Sequence, residues 1–230
     1  MKNKILIVLL FVTTLLPSCN TMTSGGCPPH TIIEWVDMVK INDITYQHDF
    51  VEEPPNTTIE KGKTLGEVTY KMADNACTNH KMKNGDAAFL DIGTPIYEIK
   101  GSPTSLMVSA NNNIYIVDKN EQAILVGDLY PVQNLVKNIH FQSEEDGSRI
   151  HTFTEKSADE FLKELLPLKL HNPEKLYKNN LFDGERVFIE IELKNGVSFR
   201  LVYWKDSNTF SFGAIGNDKL KQIIQNEKTT

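Results

Sequence analysis

Two alternating runs on either side of Asn195-Gly196 constrain this chain more than any other feature. Val187, Ile189, Ile191 and Leu193 alternate with Phe188, Glu190 and Glu192. After the turn, Val197, Phe199, Leu201 and Tyr203 alternate with Ser198, Arg200, Val202 and Trp204. A period of two marks strands with one apolar face. A two-residue Asn-Gly loop would set Ile191 against Arg200 and Glu190 against Leu201, apolar against charged. A three-residue loop over 194–196, with Gly196 left-handed, instead pairs Leu193 with Val197, Ile191 with Phe199 and Glu190 with Arg200. That register keeps like with like and is the one expected. A four-residue turn over 205–208 would then place Phe210 on Tyr203, Phe212 on Leu201 and Ala214 on Phe199, giving a three-stranded meander with one apolar face.

Helices flank this meander. Ser157-Ala158-Asp159-Glu160 is a capping box, predicting a helix that runs to about Leu166 and is stopped by Pro167, with Phe161, Leu162, Leu165 and Leu166 as its apolar stripe. Asn172-Pro173 opens a second short helix with proline at its first position. A last helix is expected over 217–226, with Leu220, Ile223 and Ile224 on one side. Helices covering one face of an antiparallel sheet make an α+β layer.

Residues 31–130 have a different texture, with short strand-like runs, turn residues between them and little helical periodicity. Strands are expected at Ile32–Ile41 and Ile44–Tyr46 around Asn42-Asp43, then in the alternating Gly66–Met72. Further strands are expected at Ala87–Ile92, Ile96–Lys100, Leu106–Ala110, Ile114–Asp118 and Ala123–Val126. A Pro-rich loop covers 52–58, and a polar loop over 73–84 holds Cys77. Close spacing of such runs predicts a compact antiparallel barrel or sandwich. The chain is thus read as an antiparallel β-rich module over 31–130 followed by an α+β module over 131–230.

The first residues set the compartment. Lys2 and Lys4 precede an apolar run from Ile5 to Leu16, and Leu16-Pro17-Ser18-Cys19 follows. The run is shorter than the ~20 residues a membrane-spanning helix needs, so it reads as a targeting segment. With its cysteine, the segment resembles the lipobox of bacterial lipoproteins, although Pro17 is unusual inside such a box. The resemblance implies that 1–18 is a signal peptide and that Cys19 becomes the acylated first residue. The protein would then be held at the outer face of the cytoplasmic membrane by a two-chain anchor. Residues 19–30, rich in Gly, Ser and Pro, read as a flexible tether.

Residues 1–18 hold two lysines and no acid, so the remainder, with 22 basic against 30 acidic residues, has a net charge of −8. Such a body is a poor partner for nucleic acid and for lying flat on an anionic lipid surface. Only Arg149, Arg186 and Arg200 offer guanidinium groups. Besides Cys19, the cysteines are Cys27 and Cys77. Outside the cytoplasm they are expected to form one disulfide, with two free thiols or a metal pair as the alternatives.

Little in the sequence points to catalysis. His30, His48, His80, His140, His151 and His171 are scattered without metal-ligand spacing, and surface positions are expected for them. There is no GxSxG elbow, P-loop or GxGxxG, and no cofactor or metal is expected. Cys77 has His80 three residues on, but a disulfide would consume the thiol. Glu190 and Glu192 are adjacent on one strand face with Arg200 opposite, which reads as a solvated face rather than an acid/base pair. Phe188, Val202 and Trp204 share that face, as a recognition surface for protein or glycan or as packing against the 31–130 region.

Gly85-Asp86-Ala87-Ala88-Phe89-Leu90 with Gly93-Thr94-Pro95-Ile96-Tyr97-Glu98-Ile99-Lys100-Gly101, and the earlier Trp35 to Tyr46, resemble segments of surface lipoproteins of Gram-positive bacilli that have no assigned activity. The resemblance covers residues 33–120. Where those proteins follow the Lys-Gly pair with an aromatic, this chain has Ser102. It implies an anchored β-rich module and brings no catalytic residues. The expectation is therefore a non-enzymatic, membrane-anchored protein that binds an envelope component or protein partner, or serves a structural role. An envelope hydrolase with a site assembled from distant residues, or an immunity or inhibitor protein, stands as the alternative.

Overall fold

The computed structural model describes residues 33–48, 51–52 and 60–229, which belong to one compact unit. In chain order the first elements are β1 (Met38–Ile41), β2 (Ile44–Gln47), β3 (Val51–Glu52), β4 (Lys61–Glu67), β5 (Tyr70–Lys71), α1 (Met72–Asn75) and β6 (Asp86–Ala87). They are followed by β7 (Pro95–Ile99), β8 (Met107–Ala110), β9 (Asn113–Asn120) and α2 (Val126–Leu129). The second half contains β10 (Val136–Gln142), β11 (Arg149–Thr152), α3 (Glu155–Leu165), α4 (Pro173–Lys178) and β12 (Arg186–Leu193). It ends with β13 (Ser198–Trp204), β14 (Thr209–Phe210), β15 (Ala214–Ile215) and α5 (Asp218–Thr229). The fold is α+β with two sheets.

The first sheet has the order β4-β7-β8-β9-β2-β1-β6-β5, antiparallel except for the β5–β6 pair. Its two outermost strands are separated in the chain by only Val68 and Thr69, whose backbone spans no more than about 10 Å. The sheet therefore curls until its edges nearly meet. The Val68 N–H donates to the Thr94 carbonyl beside β7, and the Thr69 N–H to the Gly85 carbonyl beside β6, so these two residues stitch the seam. Gly66 permits the close approach: a Cβ there would lie 2.9 Å from Ile41 Cδ1 on β1. Val68 and Met72 point inward, as the alternation predicts, but Gly66–Met72 is not a single strand: it breaks at the seam. The β1–β2 hairpin turns at Asn42 and Asp43, both left-handed, which matches the right-handed twist of the strands.

The second sheet runs β11-β10-β12-β13-β14-β15, with β3 beside β13. The hairpin register is as expected: Ile191 faces Phe199, Glu190 faces Arg200, and the Leu193 N–H bonds the Val197 carbonyl across Gly196 at φ +88°. The third strand departs from expectation. Phe210 pairs with Tyr203, but at Gly213 the chain turns back, so Ala214 pairs with Phe210 rather than with Phe199. Gly213 has φ +101°, and a Cβ there would lie 2.3 Å from the His171 carbonyl oxygen, so a side chain is excluded at the turn. The place beside Phe199 is taken by Val51 of β3, which fastens the first region to the second sheet.

Three further expectations are corrected. The N-cap of α3 is Thr154, three residues before the supposed capping box, accepting from the Ser157 N–H. Residues 123–126 form no strand; Leu125 makes one bridge to Lys169, and α2 starts at Val126. The strand expected over 87–92 is only β6, after which the chain loops out. α4 does start at Pro173, with Asn172 capping it.

Phe161 and Leu165 of α3, with Leu220, Ile223 and Ile224 of α5, lie buried in the same core as the inner residues of β10, β12 and β13. Phe141, Phe153, Phe161 and Phe210 meet edge to face in sequence through that core, at centroid spacings from 4.7 to 6.5 Å. The texture change near residue 130 coincides with the passage from one sheet to the other, and the interiors of both belong to one continuous hydrophobic cluster.

Candidate functional site

Sheet alternation puts every second residue of β10, β12 and β13 on the face away from the helices. On β12 these are Arg186, Phe188, Glu190 and Glu192, and their partners on β13 are Trp204, Val202, Arg200 and Ser198. On β10 they are Asn138, His140 and Gln142, with Arg149 of β11 opposite Gln142 and Thr152 opposite His140. All three arginines of the chain therefore gather on this one face, and of the 21 lysines Lys137 reaches it.

One half of the face is polar and dry. Glu190 is 1% exposed and His140 4%, so the solvated strand face and surface histidine expected from the sequence are both overturned. The reason is lateral cover: long side chains from neighbouring strands lie over the carboxylates. Arg149 binds Glu190 in a fork, Nε donating at 2.8 Å and Nη2 at 2.5 Å, and its Nη1 lies 3.6 Å from Glu192. Gln142 donates to Glu190 at 3.1 Å, and Arg200 donates to Gln142 at 2.5 Å. Glu192 accepts from Lys137 and Asn138, both at 2.9 Å. His140 Nε2 lies 3.1 Å from the same carboxylate and Nδ1 2.8 Å from Thr152 Oγ1. An ionised Glu192 only accepts, which places the imidazole proton on Nε2.

Burial opposes ionisation of both carboxylates, but hydrogen bonds and positive charge outweigh it. Arg149 and Ser198 hold Glu190 below the usual carboxylate range, and Asn138, Lys137, His140 and Arg149 hold Glu192 at about 2. A glycosidase pair needs one carboxyl kept protonated as the acid. Here Arg149 ties Glu190, and Asn138, Lys137 and His140 with Arg149 tie Glu192, into the ionised state, so the pair is an electrostatic brace.

The other half of the face is aromatic. The structure brings Phe188, Val202 and Trp204 together, each half-buried, with Phe188 directly opposite Val202. Phe188 has the Arg200 guanidinium 4.8 Å and the Arg186 guanidinium 5.6 Å from its ring centroid. Trp204 packs on Phe182, with centroids 4.8 Å apart. The layer over this aromatic group includes its own loop and arginines.

Sequence reading missed Arg149, His140 and Gln142 because β10 and β11 were not recognised. Its signal is short but present: Asn138, His140 and Gln142 alternate with Ile139 and Phe141.

Elsewhere, Cys77 is half-buried after α1 and is disulfide-bonded, which leaves no thiol for His80 to activate. His80 instead stacks on Tyr70 at 5.1 Å and lies 2.7 Å from Asp86 Oδ2. Cys19 and Cys27, with the leader and tether expected over 1–30, lie outside the described residues. A groove of about 750 Å³ between α3 and the 127–134 loop is lined by Tyr130, Pro131, Leu162 and Leu166, with Asp159 and Lys163 at its rim. Among the described residues, no three His, Cys, Asp or Glu side chains gather so as to hold a metal ion, and no helix is long and apolar enough to cross a membrane. In comparisons with known proteins, the chain matches no family model, no curated protein and no solved structure.

Proposed function

We propose that this chain is a lipid-anchored, extracytoplasmic protein with a non-enzymatic binding role at the cell envelope, and that it binds through the outer face of the second sheet. The observation that carries the binding reading is the gathering of Arg186 and Arg200 with Phe182, Phe188 and Trp204. Arginine and aromatic side chains are the types enriched at recognition surfaces, because each offers large contact area with a polar or cationic handle. The brace of Glu190, Glu192 and Arg149 fixes the strands beneath, so the face is presented ready-formed. The location rests on the leader ending at Cys19, and the disulfide at Cys77 fits an oxidising compartment.

Two experiments test it. Palmitate labelling of wild type against Cys19→Ala reads the anchor; equal labelling refutes acylation at that cysteine. Cross-linked capture from the native membrane, wild type against Phe188→Ser/Trp204→Ser, reads the face. A partner recovered equally by both proteins removes this face from the function.

A further inference from the structure

We infer that the cleft between the end of β9 and the 170–174 segment is a second binding site, which takes an arginine side chain of a peptide partner with Asp118 as its counter-ion. The inference needs neither the lipid anchor nor the aromatic face.

The site begins with an irregularity in β9. Thr45 of β2 pairs with Lys119 and Tyr46 with Val117, so Asp118 is the extra residue of a β-bulge. A bulge bends its strand and re-aims the side chain it carries. Ile114 to Val117 are buried, whereas Asp118 opens onto a cleft of about 570 Å³, within the range of small-ligand pockets. Among the described residues its carboxylate makes no hydrogen bond and no ion pair. Protein packed around it raises that carboxyl above the usual aspartate value, and only the charge of Lys119 works the other way. Lys119 itself lies 3.6 Å from Glu121, which also faces Lys40 at 3.5 Å. An exposed yet poorly solvated carboxylate without a partner gains most from a cation that a ligand brings.

The walls supply the rest. Leu129, Leu170 and Phe212 give the cleft its apolar surface, and Glu174 adds a second carboxylate. Backbone bonds hold these walls in place. The Leu170 N–H donates to the Ile124 carbonyl at 2.9 Å and the His171 N–H to the Gly213 carbonyl at 2.7 Å. Leu125 bridges Lys169, and Leu170 bridges Ala214. The 169–171 segment is thus clamped from both sides, and the cleft is formed before a ligand arrives.

The chemistry of the cleft selects the cation. Among the described residues no three His, Cys, Asp or Glu side chains gather so as to hold a metal ion, so the charge comes on an organic group. A guanidinium is planar and weakly hydrated, pairs with a carboxylate through two parallel N–H groups, and stacks on an aromatic ring. Asp118 and Phe212 offer both contacts, and an aliphatic stem matches Leu129 and Leu170. Among the described residues lining the cleft, the one lysine is taken by Glu121 and there is no arginine, so the α-carboxylate of a free amino acid finds no cation there. The arginine therefore belongs to a peptide chain. A net charge of −6 draws such basic partners toward the protein.

The test titrates acetyl-arginine amide into the full, isotopically labelled chain and follows backbone amide shifts. Shifts are expected over 118–123 and 170–174, with a Kd of about 1 mM, as a ligand of this size gives. Acetyl-citrulline amide, which keeps the shape without the charge, should move none of them. Acetyl-lysine amide and free arginine should each bind at least about threefold more weakly. Asp118→Asn should weaken binding of acetyl-arginine amide about tenfold. Because Asp118 bonds nothing in the protein, this variant should also melt no lower than wild type. Melting at a clearly lower temperature would give Asp118 a structural role and remove the site. Binding to Asp118→Asn as tight as to wild type would overturn the counter-ion, and equal binding of acetyl-lysine amide would overturn the guanidinium. Equal affinity for free arginine would overturn the peptide source, and shifts scattered over the surface would overturn the cleft itself.

Discussion

In the first sheet, β8 and the first half of β9 are buried on both faces by side chains such as Met107, Val108, Ile114 and Val117. In the second sheet, β12 is buried on both faces from Ile189 to Leu193, yet over that stretch one face consists of Glu190 and Glu192. The first region excludes water with an apolar layer inside a closed curl of strands. The second excludes it with charged groups that cover one another. Both faces are dry, but they should fail differently. An apolar contact loses what its own atoms contributed, whereas a paired charge that loses its partner is left stranded.

The largest effect is therefore expected at Arg149. Arg149→Ala leaves the buried Glu190 without its fork and, because the guanidinium side chain is itself 43% exposed, should cost about 3 kcal/mol, the lower end for breaking a buried ion pair. Arg149→Met combined with Glu190→Met removes both charges and should recover most of that loss, which urea titrations of the single and double variants would show. If the double variant is as weak as the single, the face is held by packing and the contrast between the regions dissolves. In the first sheet Leu106→Ala should cost about 3 kcal/mol through its cavity, with no charge partner whose removal restores it.

Acid separates the regions next. Glu192 has its carboxyl held at about 2 against an ordinary value of 4.5. A carboxylate with a depressed native value stabilises the fold above its unfolded value and loses that contribution as the pH falls toward the native one. Up to about 3 kcal/mol should thus disappear between roughly pH 4.5 and pH 2. Glu190 and Glu227 are shifted in the same direction and add to the slope in that window. Glu192→Gln should flatten the curve of stability against pH there; an unchanged slope would show that the brace does not hold its proton off.

The same contrast explains what the sequence made legible. Alternation around Asn195-Gly196 specified the β12–β13 register residue by residue, because only one pairing keeps apolar side chains opposite one another. Alternation cannot say whether the polar face meets water. That depends on Arg149 and His140, which lie 41 and 52 residues along the chain from the glutamates they contact. The short third strand was equally hidden: the turn at Gly213 is imposed by the His171 carbonyl against it, and the vacancy beside Phe199 is filled by Val51, a contact across nearly 150 residues. In the first sheet, most strands were readable but the seam was not, since its closure lies in the backbone bonds of Val68 and Thr69. At the outer face, Phe188, Val202 and Trp204 were visible as a group, while the two arginines framing Phe188 gain their meaning only from the pairing.

The smallest expected effect tests a misplaced start. Ser157-Ala-Asp-Glu160 has the pattern of a capping box, yet the chain is already helical there, because Thr154 caps one turn earlier. A cap side chain satisfies an otherwise unbonded N–H at the helix end, so Thr154→Ala should cost about 1 kcal/mol. Thr154 Oγ1 accepts from the Ser157 N–H at 3.2 Å, and its hydroxyl also lies 3.4 Å from Glu227 Oε1 on α5. The loss should therefore loosen the α3–α5 pair that covers the sheet, and faster amide exchange in the first turn of α3 would report it. Ser157→Ala leaves that N–H bonded but removes a hydroxyl that accepts from Thr154 Oγ1 at 3.0 Å and bonds the Glu227 carboxylate, so its cost should stay below that of Thr154→Ala, at about 0.5 kcal/mol. If the two costs were reversed, the helix would begin where the sequence pattern put it, and the position of Thr154 at the end of α3 would need another explanation.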